Sequence, residues 1–151
     1  MKCKHIAQIL APMLITFTFS YSQTITASVE TGYSINHAVV AGGTAGVNFK
    51  YFSIRAGFDA HLSQNVKDGM IFKTAIGHTF NLGSLMYGTL GIGYAYLYKS
   101  ADNKSLNSNE LLINPELGYK FTFANQPVSL YAAYQQAGEF KLVLAGIRGY
   151  F

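Results

Sequence analysis

Phe52-Ser-Ile54-Arg-Ala56-Gly-Phe58-Asp-Ala60-His-Leu62 is the stretch on which the fold turns. Phe52, Ile54, Ala56, Phe58, Ala60 and Leu62 take every second position, with Ser53, Arg55, Gly57, Asp59 and His61 between them. Alternation of period two over such a length marks a β-strand with two unlike faces. The pattern returns at 111–121, where Leu111, Ile113, Leu117, Tyr119 and Phe121 oppose Leu112, Asn114, Glu116, Gly118 and Lys120. Leu90, Ile92, Tyr94 and Tyr96 likewise alternate with Thr89, Gly91, Gly93 and Ala95. Carried along the chain, the rule predicts eight strands near 24–35, 42–50, 52–63, 69–80, 85–98, 110–122, 128–136 and 140–151. Most reach the roughly 9–11 residues that a tilted strand needs to cross a bilayer.

Composition narrows the class. The chain has 151 residues, 50% hydrophobic, 15% aromatic and only 12% charged. Soluble domains carry about a quarter charged residues, so an ordinary water-facing surface is missing here. Disorder is excluded as well, since disordered segments are poor in aromatics and rich in charge. Eleven Tyr and eleven Phe favour strands.

The first 22 residues read as a secretory signal peptide. Lys2 and Lys4 precede an apolar stretch from Ile6 to Phe19, and Ser20-Tyr-Ser22 supplies small residues for cleavage. The stretch is shorter than the ~20 residues of a helical span. Cys3 would leave with the leader, so the expected mature barrel, 23–151, has no cysteine and neither disulfides nor thiol chemistry. Its nine basic residues against seven acidic ones leave little net charge, and no nucleic-acid partner is expected.

The connections alternate in character. The first, third, fifth and seventh fall at 36–41, 64–68, 99–109 and 137–139; the others, at 50–51, 81–84 and 123–127, are tight. The only long polar loop runs from Lys99 to Asn109 and is the expected element for an extracellular partner. Outer-membrane barrels show this asymmetry, with long loops outside and short turns on the periplasmic side.

The face between the bulky residues is too weakly polar for water, with Gly46, Gly57, Gly77, Gly91, Gly93, Ala75 and Ala95 beside a few charges. Small residues suit the narrow lumen of an eight-stranded barrel. Aromatics gather at strand ends: Phe49, Tyr51, Phe52, Phe80, Phe121, Phe123 and Phe151 at the short turns, Tyr33, Tyr96, Tyr98 and Tyr134 toward the loops. Two such girdles are expected at bilayer interfaces. The fold class is therefore all-β, an eight-stranded antiparallel up-and-down transmembrane β-barrel. The alternative is a soluble secreted barrel with an apolar, ligand-binding interior. In hydrocarbon the sheet must close, so the first and last strands should pair.

Lys141-Leu-Val-Leu-Ala-Gly-Ile147-Arg-Gly-Tyr-Phe151 resembles the C-terminal strand signal of bacterial outer-membrane proteins, in which Ile147 and Phe151 would be read by the barrel-insertion machinery. With the leader and eight strands, the mature chain is similar to small barrels of the OmpX and OmpA-transmembrane-domain type. Gly149 departs from that signal, standing where an apolar or aromatic residue is usual. The resemblance implies residence in the outer membrane of a Gram-negative-type bacterium.

If Phe151 faces lipid, the inward set contains Glu30, Lys50, Arg55, Asp59, Lys73, Glu116, Lys120 and Arg148. Charges in a narrow lumen are costly unless paired. Parity predicts Asp59 with Lys73 on adjacent strands, Glu30 with Arg148 across the closure, and Glu116 with Arg55 or Arg148. Glu30, Asp59, Lys73 and Glu116 are expected at similar mid-barrel heights. Eight strands enclose no open channel, so a structural plug is favoured over a selectivity filter or proton path.

Reactive chemistry finds little support. Ser53, His61 and Ser63 invite comparison with the Ser/His pair of lipid A deacylases, but they face the lumen while an acyl chain arrives from the lipid side. His78 faces outward with no carboxylate near it. His5, His37, His61 and His78 are too dispersed for a metal site, and the glycine-rich stretches at 42–46 and 88–93 lack the Lys-Ser/Thr ending of a phosphate loop. No cofactor is expected. Lys67, Lys99, Lys104 and Lys141 form a rim suited to lipopolysaccharide phosphates, or simply solvated loop charge. The function expected is that of a structural or surface-interaction outer-membrane barrel with a filled lumen; the runner-up is a lipid-modifying barrel enzyme.

Overall fold

The computed structural model describes residues 23–35, 38–62, 69–101 and 104–151. Eight antiparallel strands follow one another: β1 (Thr24–Ser34), β2 (Val39–Asn48), β3 (Phe52–His61), β4 (Gly69–Asn81), β5 (Met86–Ala101), β6 (Lys104–Phe123), β7 (Gln126–Ala137) and β8 (Phe140–Tyr150). Each pairs with the next, and β1 also pairs with β8, so the sheet closes into a barrel. At that seam Ile25 and Phe151 exchange both amide bonds, at 3.1 and 2.8 Å. Closure leaves no sheet edge in hydrocarbon, where each unpaired backbone group costs several kcal/mol.

The alternation settles which face is which. Phe58, Ile92 and Leu117 are 48, 58 and 49% exposed, whereas Arg55 and Glu116 are 9 and 6% exposed. The outer wall is thus a continuous coat of Ile, Val, Leu, Phe and Tyr. A patch of that extent is incompatible with a water-facing monomer and matches a bilayer core. This overturns the soluble alternative. Tyr51, Phe52, Phe80, Phe123 and Phe151 are exposed around the short-turn end, and Tyr33, Tyr96 and Tyr98 toward the loop end. Phe49 stacks on Phe52 with ring centroids 4.3 Å apart, closing the β2–β3 turn.

Three expectations about the strands need correction. β2 begins at Val39 rather than 42, which draws Val39, Val40 and Ala41 into the sheet. The polar stretch from Lys99 to Asn109, expected as a loop, is strand over 99–101 and 104–109: β5 and β6 keep their register from Tyr96↔Asn109 to Ala101↔Lys104, and 102–103 lie outside the described residues. The Lys, Ser and Asn residues of this stretch carry no apolar period, and the hairpin register propagates on backbone pairing alone. The lumen, finally, is not filled only by small and ionised groups. Val40, Ile71, Leu97, Leu112, Leu142 and Leu144 form a buried apolar cluster toward the loop end.

Candidate functional site

The lumen is packed by rows of inward residues that cross the strands. One row runs Tyr87↔Gly118↔Tyr131↔Gly146 over β5 to β8 and continues Glu30↔Gly42↔Asp59 over β1 to β3. Large and absent side chains alternate along it. A Cβ on Gly118 would clash with Tyr87 Cζ, and one on Gly146 would meet Tyr131 Cζ at 2.6 Å. Each tyrosine therefore lies across the glycine beside it, which is how two phenols fit within so narrow a cylinder.

Two ion clusters are built on this frame. In the first, Lys73 Nζ donates to Glu30 Oε1 at 2.5 Å and Asp59 Oδ2 at 2.6 Å, with Gln135 Oε1 at 3.3 Å. In the second, Glu116 receives Arg148 through Nη1 at 2.5 Å and Nη2 at 2.8 Å, and Arg55 Nη1 at 2.7 Å. The Arg148 contact is two-pronged, the geometry that makes arginine–carboxylate pairs strong. Tyr87 Oη adds a bond to Glu116 Oε1 at 2.9 Å and lies 3.1 Å from Ser129 Oγ, which is itself 3.0 Å from Tyr150 Oη. All six charged side chains are more than nine-tenths buried.

Asp59 and Lys73 meet, and Glu116 binds both arginines. Glu30 does not meet Arg148. Tyr131 stands between them, its hydroxyl donating to Glu30 Oε2 at 2.8 Å and its ring lying 4.3 Å beneath the Arg148 guanidinium. Nor does Glu116 share one level with Glu30, Asp59 and Lys73; it belongs to the other cluster, nearer the short turns. Among the described residues no ion pair is formed by Lys120, whose ammonium sits 5.3 Å over the Tyr87 ring. Lys50 is not in the lumen, being exposed in the β2–β3 turn 5.0 Å over Tyr51. Tyr87, Tyr131, Ser129 and Gln135 are site residues that the charge pattern passed over, although strand parity places them: Tyr87 shares its face with Thr89, and Tyr131 with Ser129 and Gln135.

The other candidate residues are scattered. Ser53 and His61 lie eight positions apart on β3, about 26 Å at the rise of a strand, so they cannot act as a pair. His61 Nδ1 is 3.3 Å from the Gly69 carbonyl, and its ring tilts toward Phe140. His78 is exposed on the outer face in register with Phe52 and Leu90. Ser63, His37, Lys67 and residues 1–22, where a leader is expected, lie outside the described residues, as do the side chains of Lys99 and Lys104. Lys141 is exposed near the start of β8, and Ile147 and Phe151 both point outward. Among the described residues no group of three or more His, Cys, Asp or Glu is placed to hold a metal ion.

Neither a protein-family model nor a curated protein sequence matches the chain. Solved structures do. The N-terminal β-barrel domain of Pseudomonas aeruginosa OprF is similar with a TM-score of 0.62 at 12% identity, over 85% of this chain and 97% of that one. Ail, the attachment invasion locus protein of Yersinia pestis, solved with the heparin analogue sucrose octasulfate, is similar at 0.51 and 14% identity, over 85% and 96%. The outer membrane enzyme PagL is similar at 0.53 and 12%, over 82% and 97%. A domain of a larger protein, an attachment protein and an enzyme thus share one architecture, and function has to be argued from the site. The chain has the fold of the small eight-stranded outer-membrane β-barrels.

Proposed function

We propose that the protein is an outer-membrane barrel that carries the β5–β6 hairpin at the cell surface as its interaction element, with the lumen serving as a filled scaffold. One observation carries this reading. β6 pairs with β7 only as far as Leu112↔Ala137, whereas β5 and β6 remain paired through Ala101↔Lys104. The β5–β6 hairpin therefore runs past β7, with β4 still paired to β5 as far as Gly69↔Lys99, and Asn107, Ser108 and Asn109 on the free edge of β6 are exposed and polar. Outer-membrane lipid surrounds the barrel, lipopolysaccharide phosphate meets the lysine rim, and the insertion machinery reads Ile147 and Phe151.

The test is topological. In a chain whose Cys3 has left with its leader, Ser108→Cys or Asn125→Cys is the sole thiol. A membrane-impermeant maleimide should label Ser108→Cys on intact cells and reach Asn125→Cys, in the opposite β6–β7 turn, only after the outer membrane is permeabilised. The reverse pattern would put the hairpin in the periplasm and remove the reading.

A further inference from the structure

The two ion clusters do not touch. Between them lies a cavity of about 10 Å³, whose lining includes Thr44, Arg55, Lys73, Asn114, Glu116 and Gln135. Two of the groups on its wall have buried polar atoms without a protein partner: Arg55 Nε and Asn114 Oδ1. Arg55 is held by its Nη1 on Glu116, which leaves the Nε–H to the lumen, and its side chain is only 9% exposed.

The wall is also loosened at this point. Even-numbered residues of β6 turn their amides to β5, as the 2.7 Å bond from Lys120 N to the Leu85 carbonyl shows. Pro115 therefore presents its missing N–H toward β7, and the β6–β7 ladder skips from Ile113↔Gln136 to Glu116↔Ala133. Asn114 and Gln135 face each other across that gap, and both line the cavity.

What fills the space must accept from Arg55 and donate to Asn114. A cation is repelled by the guanidinium beside it, and an anion by the Glu30 and Glu116 carboxylates that also line the wall. Water does both, and one probe-sized volume with two to four polar partners is what a buried water requires. The flanking charges give it a direction. Lys73 against Glu30 and Asp59 leaves one net negative charge; Arg55 and Arg148 against Glu116 leave one net positive charge.

We propose that a single buried water is held here, accepting from Arg55 Nε–H and donating to Asn114 Oδ1. It ties Asn114, beside the gap in the β6–β7 ladder, to the Arg55–Glu116–Arg148 cluster. The site is independent of the surface hairpin, and either outcome of its test leaves that reading standing.

Rotating-frame NMR on the folded protein in detergent micelles reads the site directly. The Arg55 Hε resonance should show a dipolar cross-peak to a long-lived water. Asn114→Leu, which fills the space and removes the acceptor, should abolish it; Asn114→Ser, which keeps a hydroxyl there, should retain it. Gel mobility without heating reports whether each variant has folded. No water cross-peak at Arg55 Hε in the folded wild type overturns the proposal, and so does an undiminished one in folded Asn114→Leu. Should Asn114→Leu fail to fold, the wild-type spectrum still decides.

Discussion

Glu116 is the residue on which the lumen depends most, since it neutralises two arginines and takes a phenol. Removing one partner of a buried ion pair leaves the others charged and dry, at a cost of about 3–5 kcal/mol. Glu116→Gln should therefore lower the unfolding free energy of the barrel by that much, obtained from a urea titration that follows loss of the fast-migrating unheated band. Gln135→Ala, whose amide meets Lys73 only at 3.3 Å, should cost about 1 kcal/mol. Equal effects would mean that the cluster is not the keystone described. Parity was enough to bring Asp59 to Lys73, because adjacent strands put like-facing residues together whatever lies beyond them. It was not enough for Glu30 and Arg148, because what separates them is a tyrosine from a third strand, and an inward set drawn from charged residues alone passes over Tyr131. A residue with an apolar ring and a polar tip belongs to both classes, and only its register tells them apart.

Strand number and connection order were legible because the outer face meets hydrocarbon, which enforces the period at every second residue. Where that pressure ends, so did legibility. Past Tyr98 on β5 and its partner Asn107 on β6, the Ser, Asn and Lys residues spell a loop to any reading based on apolar period. The apolar lumen cluster escaped for a related reason. Leu112 was placed inward, yet Leu142 and Leu144 sit in a run, Leu142-Val-Leu-Ala, with no polar alternation to assign their side. β6 also carries a defect that can be repaired. Pro115 faces outward and withholds one ladder bond from β7. Pro115→Val restores a donor at a β-favourable position and should stabilise the barrel by about 1 kcal/mol. A lower unfolding midpoint for Pro115→Val would show that the ladder gap serves packing at the cavity beside it.

Across the whole molecule, ion clusters, inward phenols and an apolar loop-end cluster succeed one another along the cylinder. If these layers plug the lumen, the purified protein in a planar bilayer should pass no more current than the bare membrane. A steady conductance of porin size would contradict the filled lumen. The last lesson lies in the seam between β1 and β8, which joins the two extremes of the sequence. Every neighbouring pair is a hairpin that can form as soon as its residues exist, but the ring has a clasp that cannot be fastened until the final strand arrives. Half-made chains gain nothing by entering the bilayer, where two raw margins of amides would be left bare. Assembly is thereby made all-or-none, with quality control written into connectivity instead of into any single contact.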